Sequence, residues 1–268
     1  VSIVDVSAAL HLALRISCGG VIVDVAEHGS ARDQFRDDGS YSWRIVRQRL
    51  AGRGRWQRWL ADAVFGSPSS FAVLLALRLV AAVGVLVSPM ASRPYGAALS
   101  LLLVTQLGLW IRRGGLGLFG ADKMLLVVGG AAWLATVVAH DEVATRAAVW
   151  FIAAQAALAY FVSGFFKLLA ASWRSGRALQ SVLETQALGS QALSRLLVAR
   201  PALARVLCWT VILWECLFPL VLLLPGWLKL PVLGAGLLFH VSIAIVMGLN
   251  QFVWAFAATY PALWLSGI

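Results

Sequence analysis

The chain has 268 residues, of which 60% are hydrophobic and only 13% charged, with a mean hydropathy of +0.83. Soluble domains run at roughly 45 to 50% apolar and about 25% charged residues, so that class is excluded and an all-α, polytopic membrane bundle is expected. The net charge of +10 would suggest nucleic acid in a soluble protein. Here the basic residues lie between apolar runs, where membrane lipids and the positive-inside rule account for them, and no nucleic-acid partner is expected.

Apolar stretches of spanning length fall at residues 4–25, 71–87, 97–111, 124–139, 147–171, 206–224, 231–249 and 252–265. A span needs about 17 to 25 residues, so 97–111 and 252–265 are marginal and read as tilted, re-entrant or extended by their flanks. The expectation is about eight transmembrane helices in one domain covering residues 1–268. The first stretch is the weakest, interrupted by Asp5, His11, Arg15 and Asp24. It lacks a lysine-rich front and a small-residue cleavage site, and no signal peptide is expected there.

The charges between these stretches alternate. Sixteen basic residues fall in 28–65, in Arg112, Arg113 and Lys123, and in 174–205, against Arg93, Arg146 and Lys229 in the opposite loops. By the positive-inside rule this places both termini outside. Two connections are longer than linkers. Residues 30–67 interleave Trp43, Trp56 and Trp59 with arginines, a pattern suited to a helix on anionic headgroups. Residues 172–205 carry Leu179, Val182, Leu183, Leu193, Leu196 and Leu197 among polar residues and read as interfacial amphipathic helices.

The informative residues are the polar ones inside apolar stretches. There are three lysines against nineteen arginines, and Lys167 is placed near the end of the fifth stretch. A cation at the centre of a membrane helix costs about 2.5 to 3.5 kcal/mol, which makes it a functional candidate, with snorkelling of the ammonium to the interface as the other reading. Tyr160, Gly164 and Lys167 recur at helical spacing and share one face. Glu215 lies in the sixth stretch four residues before Pro219, whose missing N–H frees the carbonyl of Glu215. It pairs with a cation, stays protonated or relays protons. His240, in the seventh stretch, is a candidate proton relay or an interhelical hydrogen bonder. Arg15, Arg78 and Lys167 outnumber the acids expected near them, which points to a cationic cavity suited to an anion. Neither HxxxH nor HExxH occurs, and no metal is expected. Gly114, Gly115, Gly117 and Gly120 lack the strand and helix context of a phosphate loop.

Taken together, Tyr160-Phe161-Val162-Ser163-Gly164-Phe165-Phe166-Lys167-Leu168 and Ser172-Trp173-Arg174-Ser175-Gly176 resemble the lysine signature of HTTM (horizontally transferred transmembrane) proteins. Arg15, the stretch Asp38-Gly39-Ser40-Tyr41-Ser42-Trp43, Gly120-Ala121-Asp122, Glu215 with Phe218-Pro219, and His240 before Asn250-Gln251-Phe252 follow the same order. The family shares its membrane domain with the vitamin K-dependent gamma-glutamyl carboxylases. There the matching lysine deprotonates reduced vitamin K, starting an oxygenation that yields a strong base for substrate glutamate.

The resemblance implies Lys167 as the quinol-activating base; beside it Glu215 and His240 are the catalytic candidates for charge partner and proton relay, and Tyr160, Gly164, Arg78 and Trp173 are the candidates for binding a quinol-like cofactor. No counterpart of the carboxylases' soluble domain follows the last stretch, so the expectation is a short bacterial member of the sporulation-delaying-protein B type. That implies a multi-pass plasma-membrane enzyme maturing a small secreted peptide beside a partner maturation protein. The competing expectation is a non-catalytic peptide export or toxin-maturation factor in which the same polar residues line a path.

Overall fold

The computed structural model describes residues 3–266 except 37, 40, 51, 53, 91, 114–119 and 186–188. Ser40, Arg53 and glycines 114, 115 and 117 therefore lie outside the described residues. Among the described residues there is no strand, and seven helices are long and apolar enough to cross a membrane. Contacts divide the chain into two compact units, with boundaries at Ala13/Leu14 and Thr145/Arg146.

The N-proximal unit, Leu14–Thr145, holds most of α1 (Ile3–Ser30), then α2 (Trp43–Val46), α3 (Arg55–Phe65), α4 (Pro68–Val87), α5 (Arg93–Arg112) and α6 (Gly120–Trp133). The weak first stretch is in fact one continuous helix, because the side chain of Asp24 finds partners inside this unit. Helices α4 and α5 begin on Pro at N1 or N2, with Ser67 and Ser92 accepting from the first-turn amides. They run antiparallel at close range: a β-carbon on Gly84 would stand 2.9 Å from that of Ala98. Small residues at such points let membrane helices approach where water-driven association is absent. Helix α6 follows α5 antiparallel, with Trp133 Nε1 donating to Ser100 Oγ at 2.8 Å, and ends in a π-helical turn, Leu134–Ala139.

The basic 30–67 segment is an interrupted connection. It folds into short pieces because part of its aromatic content is claimed by the core. Trp43 is buried with Val46 and Phe65, and its Nε1 donates to Asp62 Oδ1 at 2.8 Å. Arg112 is buried too, donating to the carbonyls of Tyr41 (2.7 Å) and Phe35 (3.0 Å) beneath the rings of Phe35, Trp43 and Phe71. Trp56 and Trp59 remain exposed on α3.

The C-terminal unit contains the start of α1 and, from Arg146, most of α7 (Glu142–Leu169), followed by α8 (Ala171–Arg174), α9 (Arg177–Glu184), α10 (Gln191–Ala199), α11 (Pro201–Leu217), α12 (Gly226–Met247), α13 (Asn250–Ala257) and α14 (Tyr260–Leu265). The amphipathic 172–205 segment forms helices as expected. Part of its leucine face turns inward, however, with Leu183 and Leu197 packing on Ala204 of α11. Gly176 joins α8 to α9 at φ 88°, and a β-carbon there would lie 2.7 Å from Arg205 N, so both the turn and the approach require glycine.

The eighth stretch departs from a single span. Pro261 sits in the first turn of α14, where its ring cannot continue a helix arriving from Ala257, and the chain breaks into α13 and α14. The two pieces nonetheless return along α12. His240 stacks on Phe256, Gly236 faces Tyr260, and Lys229 Nζ donates to Leu263 O at 2.9 Å. Lys229, expected in an outer loop, is thus fully buried and holds the carbonyl end of α14.

Candidate functional site

Three neighbouring turns of α7 build the site. The face expected to carry Tyr160, Gly164 and Lys167 does so, and each residue meets a different neighbour. Phe161, Phe165 and Phe166 point the other way and are exposed, an apolar exterior suited to lipid.

Gly164 sets the spacing. A β-carbon at this position would lie 2.7 Å from Cys216 N, 2.8 Å from Glu215 Cβ and 2.9 Å from Cys216 Sγ, so α7 and α11 touch here. One turn on, Lys167 Nζ donates to Glu215 Oε2 at 2.5 Å and to Ser163 Oγ at 2.6 Å. The same ammonium lies 5.1 Å from the Trp173 ring centroid, a cation–π distance. The Glu215 side chain is 7% exposed and that of Lys167 is 18% exposed, so the acid lies deeper and the lysine faces the opening. Lys167 is therefore an ion-paired group, and α7 ends only two residues later at Leu169. Arg174 caps that end, donating to the carbonyls of Leu168 and Leu169 at 2.7 Å each.

One turn back from Gly164, the Tyr160 hydroxyl is 2.6 Å from His240 Nε2. The Tyr160 ring stacks on Phe218 at 3.7 Å and meets Phe256 edge-on. Helix α11 stops at Leu217 and continues as a 3-10 turn, Phe218–Leu223, because Pro219 cannot donate within the helix. That change of winding places Phe218 under the Tyr160 ring just beyond Glu215. His240 therefore touches Tyr160, and no hydrogen bond joins it to Lys167 or Glu215 among the described residues. Along α7 the seven residues from Tyr160 to Lys167 correspond to about 10 Å of rise.

Arg78 is committed elsewhere. It lies in the N-proximal unit, 1% exposed, with Nε 3.3 Å from Asp24 Oδ2. Asp24 also meets Arg113 at 3.2 Å, and Arg113 reaches Asp122 at 3.2 Å, which in turn accepts from Gln106 at 3.1 Å. Two carboxylates thus meet two guanidiniums. The expected excess of buried cations is corrected by this pairing, and Arg15 is exposed. Neither the contact of Ser163 nor the Asp24 network has a sequence pattern that identifies it, the latter because its partners come from separate helices. The spacing of Asp24 and His28, four residues apart and paired at 3.2 Å, was its only local signal. Among the described residues, no three His, Cys, Asp or Glu side chains are grouped to hold a metal ion.

Chemically, the Lys167–Glu215 pair can pass a proton between Nζ and Oε2 with no change in net charge, beside an apolar exterior. Against known proteins, the chain matches no family model, no curated protein and no solved structure.

Proposed function

We propose that the chain is a membrane-embedded enzyme in which Lys167 removes a proton from a lipid-soluble hydroxyl of the quinol class. The observation that carries this reading is the placement of Lys167 Nζ within hydrogen-bond distance of both Glu215 Oε2 and Ser163 Oγ at a partly open position. Transfer of the ammonium proton to Glu215 leaves an amine and a carboxylic acid. The amine then accepts the proton of the hydroxyl, giving an ammonium beside the new oxyanion while Glu215 keeps its proton. Ser163 and the Trp173 ring orient the amine, and Tyr160 with His240 forms a polar pair farther along the same helix face. The lysine signature resembling HTTM proteins supports the same chemistry. In this reading the chain works in a bacterial plasma membrane and uses the activated quinol to modify a small secreted peptide presented with a partner protein.

The test uses the purified protein in nanodiscs with a reduced naphthoquinone and oxygen. The intact protein is expected to accelerate oxygen uptake. Lys167→Arg keeps the charge opposite Glu215 but cannot serve as a base, and is expected to lose about 100-fold or more of that rate. A rate retained in Lys167→Arg, or no acceleration by the intact protein, refutes the reading. Bound, unmodified peptide with no quinol chemistry would favour export instead.

A further inference from the structure

A groove of about 540 Å³ opens in the N-proximal unit between the last turns of α1 and the first turns of α4. Its floor is apolar: Phe71, Leu75 and Leu79 of α4 lie opposite Val25 of α1. The floor is rigid where it is deepest, because Phe71 stacks on Phe35 at 4.1 Å with Arg112 5.4 Å from each ring centroid on the buried side. Ala72 and Ala76 leave the lipid-facing wall low, and residues 72 to 79 extend the groove by about 10 Å along the helix. Its mouth is charged. Arg32, Asp33 and Arg36 of the 3-10 turn Arg32–Phe35 and its C-cap line it, all three exposed. Asp33 lies 3.7 Å from Arg36, and Arg32 has no ion pair among the described residues.

We infer that this groove binds a single anionic phospholipid, with the headgroup phosphate at Arg32 and Arg36 and the upper part of one acyl chain along Leu75 and Leu79. Three observations choose this occupant. The net charge at the mouth is positive, and the apolar part runs away from it along a membrane-spanning helix. The volume lies in the usual range for small-molecule sites, about 300 to 1,000 Å³. The same end of the unit carries Arg44, Arg47, Arg55 and Arg58, and the positive-inside rule assigns such an end to the leaflet that holds anionic lipids. A wholly apolar ligand would leave Arg32 unused, and a free phosphate would leave the groove floor uncovered. The proposal requires only the spans and this groove, so it stands or falls separately from the chemistry at Lys167.

Native mass spectrometry of the detergent-solubilised full chain tests it, with phosphatidylglycerol and phosphatidylcholine of identical acyl chains offered together. The unchanged protein is expected to retain phosphatidylglycerol about fivefold over phosphatidylcholine, the scale of one net cation near a headgroup. In Arg32→Ala/Arg36→Ala, which leaves Asp33 as the charge at the mouth, that preference should be lost or reversed, and Ala76→Trp, which fills the groove from an exposed position, should lose both lipids. Arg55→Ala/Arg58→Ala on α3 should leave the preference unchanged. Equal retention of the two lipids by the unchanged protein overturns the proposal. So does a preference that survives Arg32→Ala/Arg36→Ala or follows the α3 substitutions, binding unaffected by Ala76→Trp, or displacement of the lipid by equimolar glycerol phosphate.

Discussion

At the scale of single residues, the Lys167–Glu215 pair makes opposite demands on stability and function. Removing one member of a buried ion pair strands the other charge, a cost of roughly 3 to 5 kcal/mol, whereas replacing both with apolar groups is often neutral. Lys167→Met and Glu215→Gln are each expected to lower the thermal unfolding midpoint in detergent, and the double variant Lys167→Met/Glu215→Leu to recover most of the loss. Additive losses in the double variant would show that the two side chains do not depend on each other. Tyr160→Phe keeps the stack on Phe218 and removes the bond to His240, a loss of about 1 kcal/mol. The pairing was legible in part: helical spacing put Tyr160, Gly164 and Lys167 on one face, and a carboxyl inside an apolar stretch made pairing with a cation one of the three readings of Glu215. Arg78 shows the limit. Its partner Asp24 lies 54 positions away on another helix, and no local pattern identifies which face of α1 meets α4.

At the scale of elements, the seven long crossings were legible because each holds an apolar run, although polar residues interrupt the first and the run at 97–111 is shorter than the helix Arg93–Arg112 that contains it. The eighth was legible only as marginal in length; that it breaks depends on how Pro261 meets the end of α13. A basic residue near a helix end likewise reads as a loop charge, and only tertiary packing shows that Lys229 reaches the carbonyls of α14. Lys229→Met should release α14 from α12 without unfolding the rest. Hydrogen exchange should then speed up by about 10-fold or more in residues 260–265, matching a loss of roughly 1 to 3 kcal/mol, while α7 and α11 keep their protection. Uniformly faster exchange across the unit would mean that Lys229 supports the whole core.

For the whole molecule, the charge alternation makes a topological prediction. Cys18 and Cys208 are fully buried and Cys216 is half-buried, so cysteines introduced on the surface are read against a Cys216→Ala background. Val143→Cys should react with a membrane-impermeant thiol reagent in intact cells, and Arg58→Cys only after permeabilisation. Labelling in the reverse order would invert the orientation and move the Lys167 end of α7 to the other side.

The contact at Gly164 makes the spacing of two helices into a chemical setting. Because α7 and α11 touch there and the ion pair lies one turn away, Lys167 and Glu215 are held together by backbone closeness as well as by their charge. A single added methyl group, Gly164→Ala, would act as a wedge, costing about 1 to 3 kcal/mol and prising the amine from its acid. In this sense the smallest side chain in the site is its gauge: it sets how closely the amine and the acid approach.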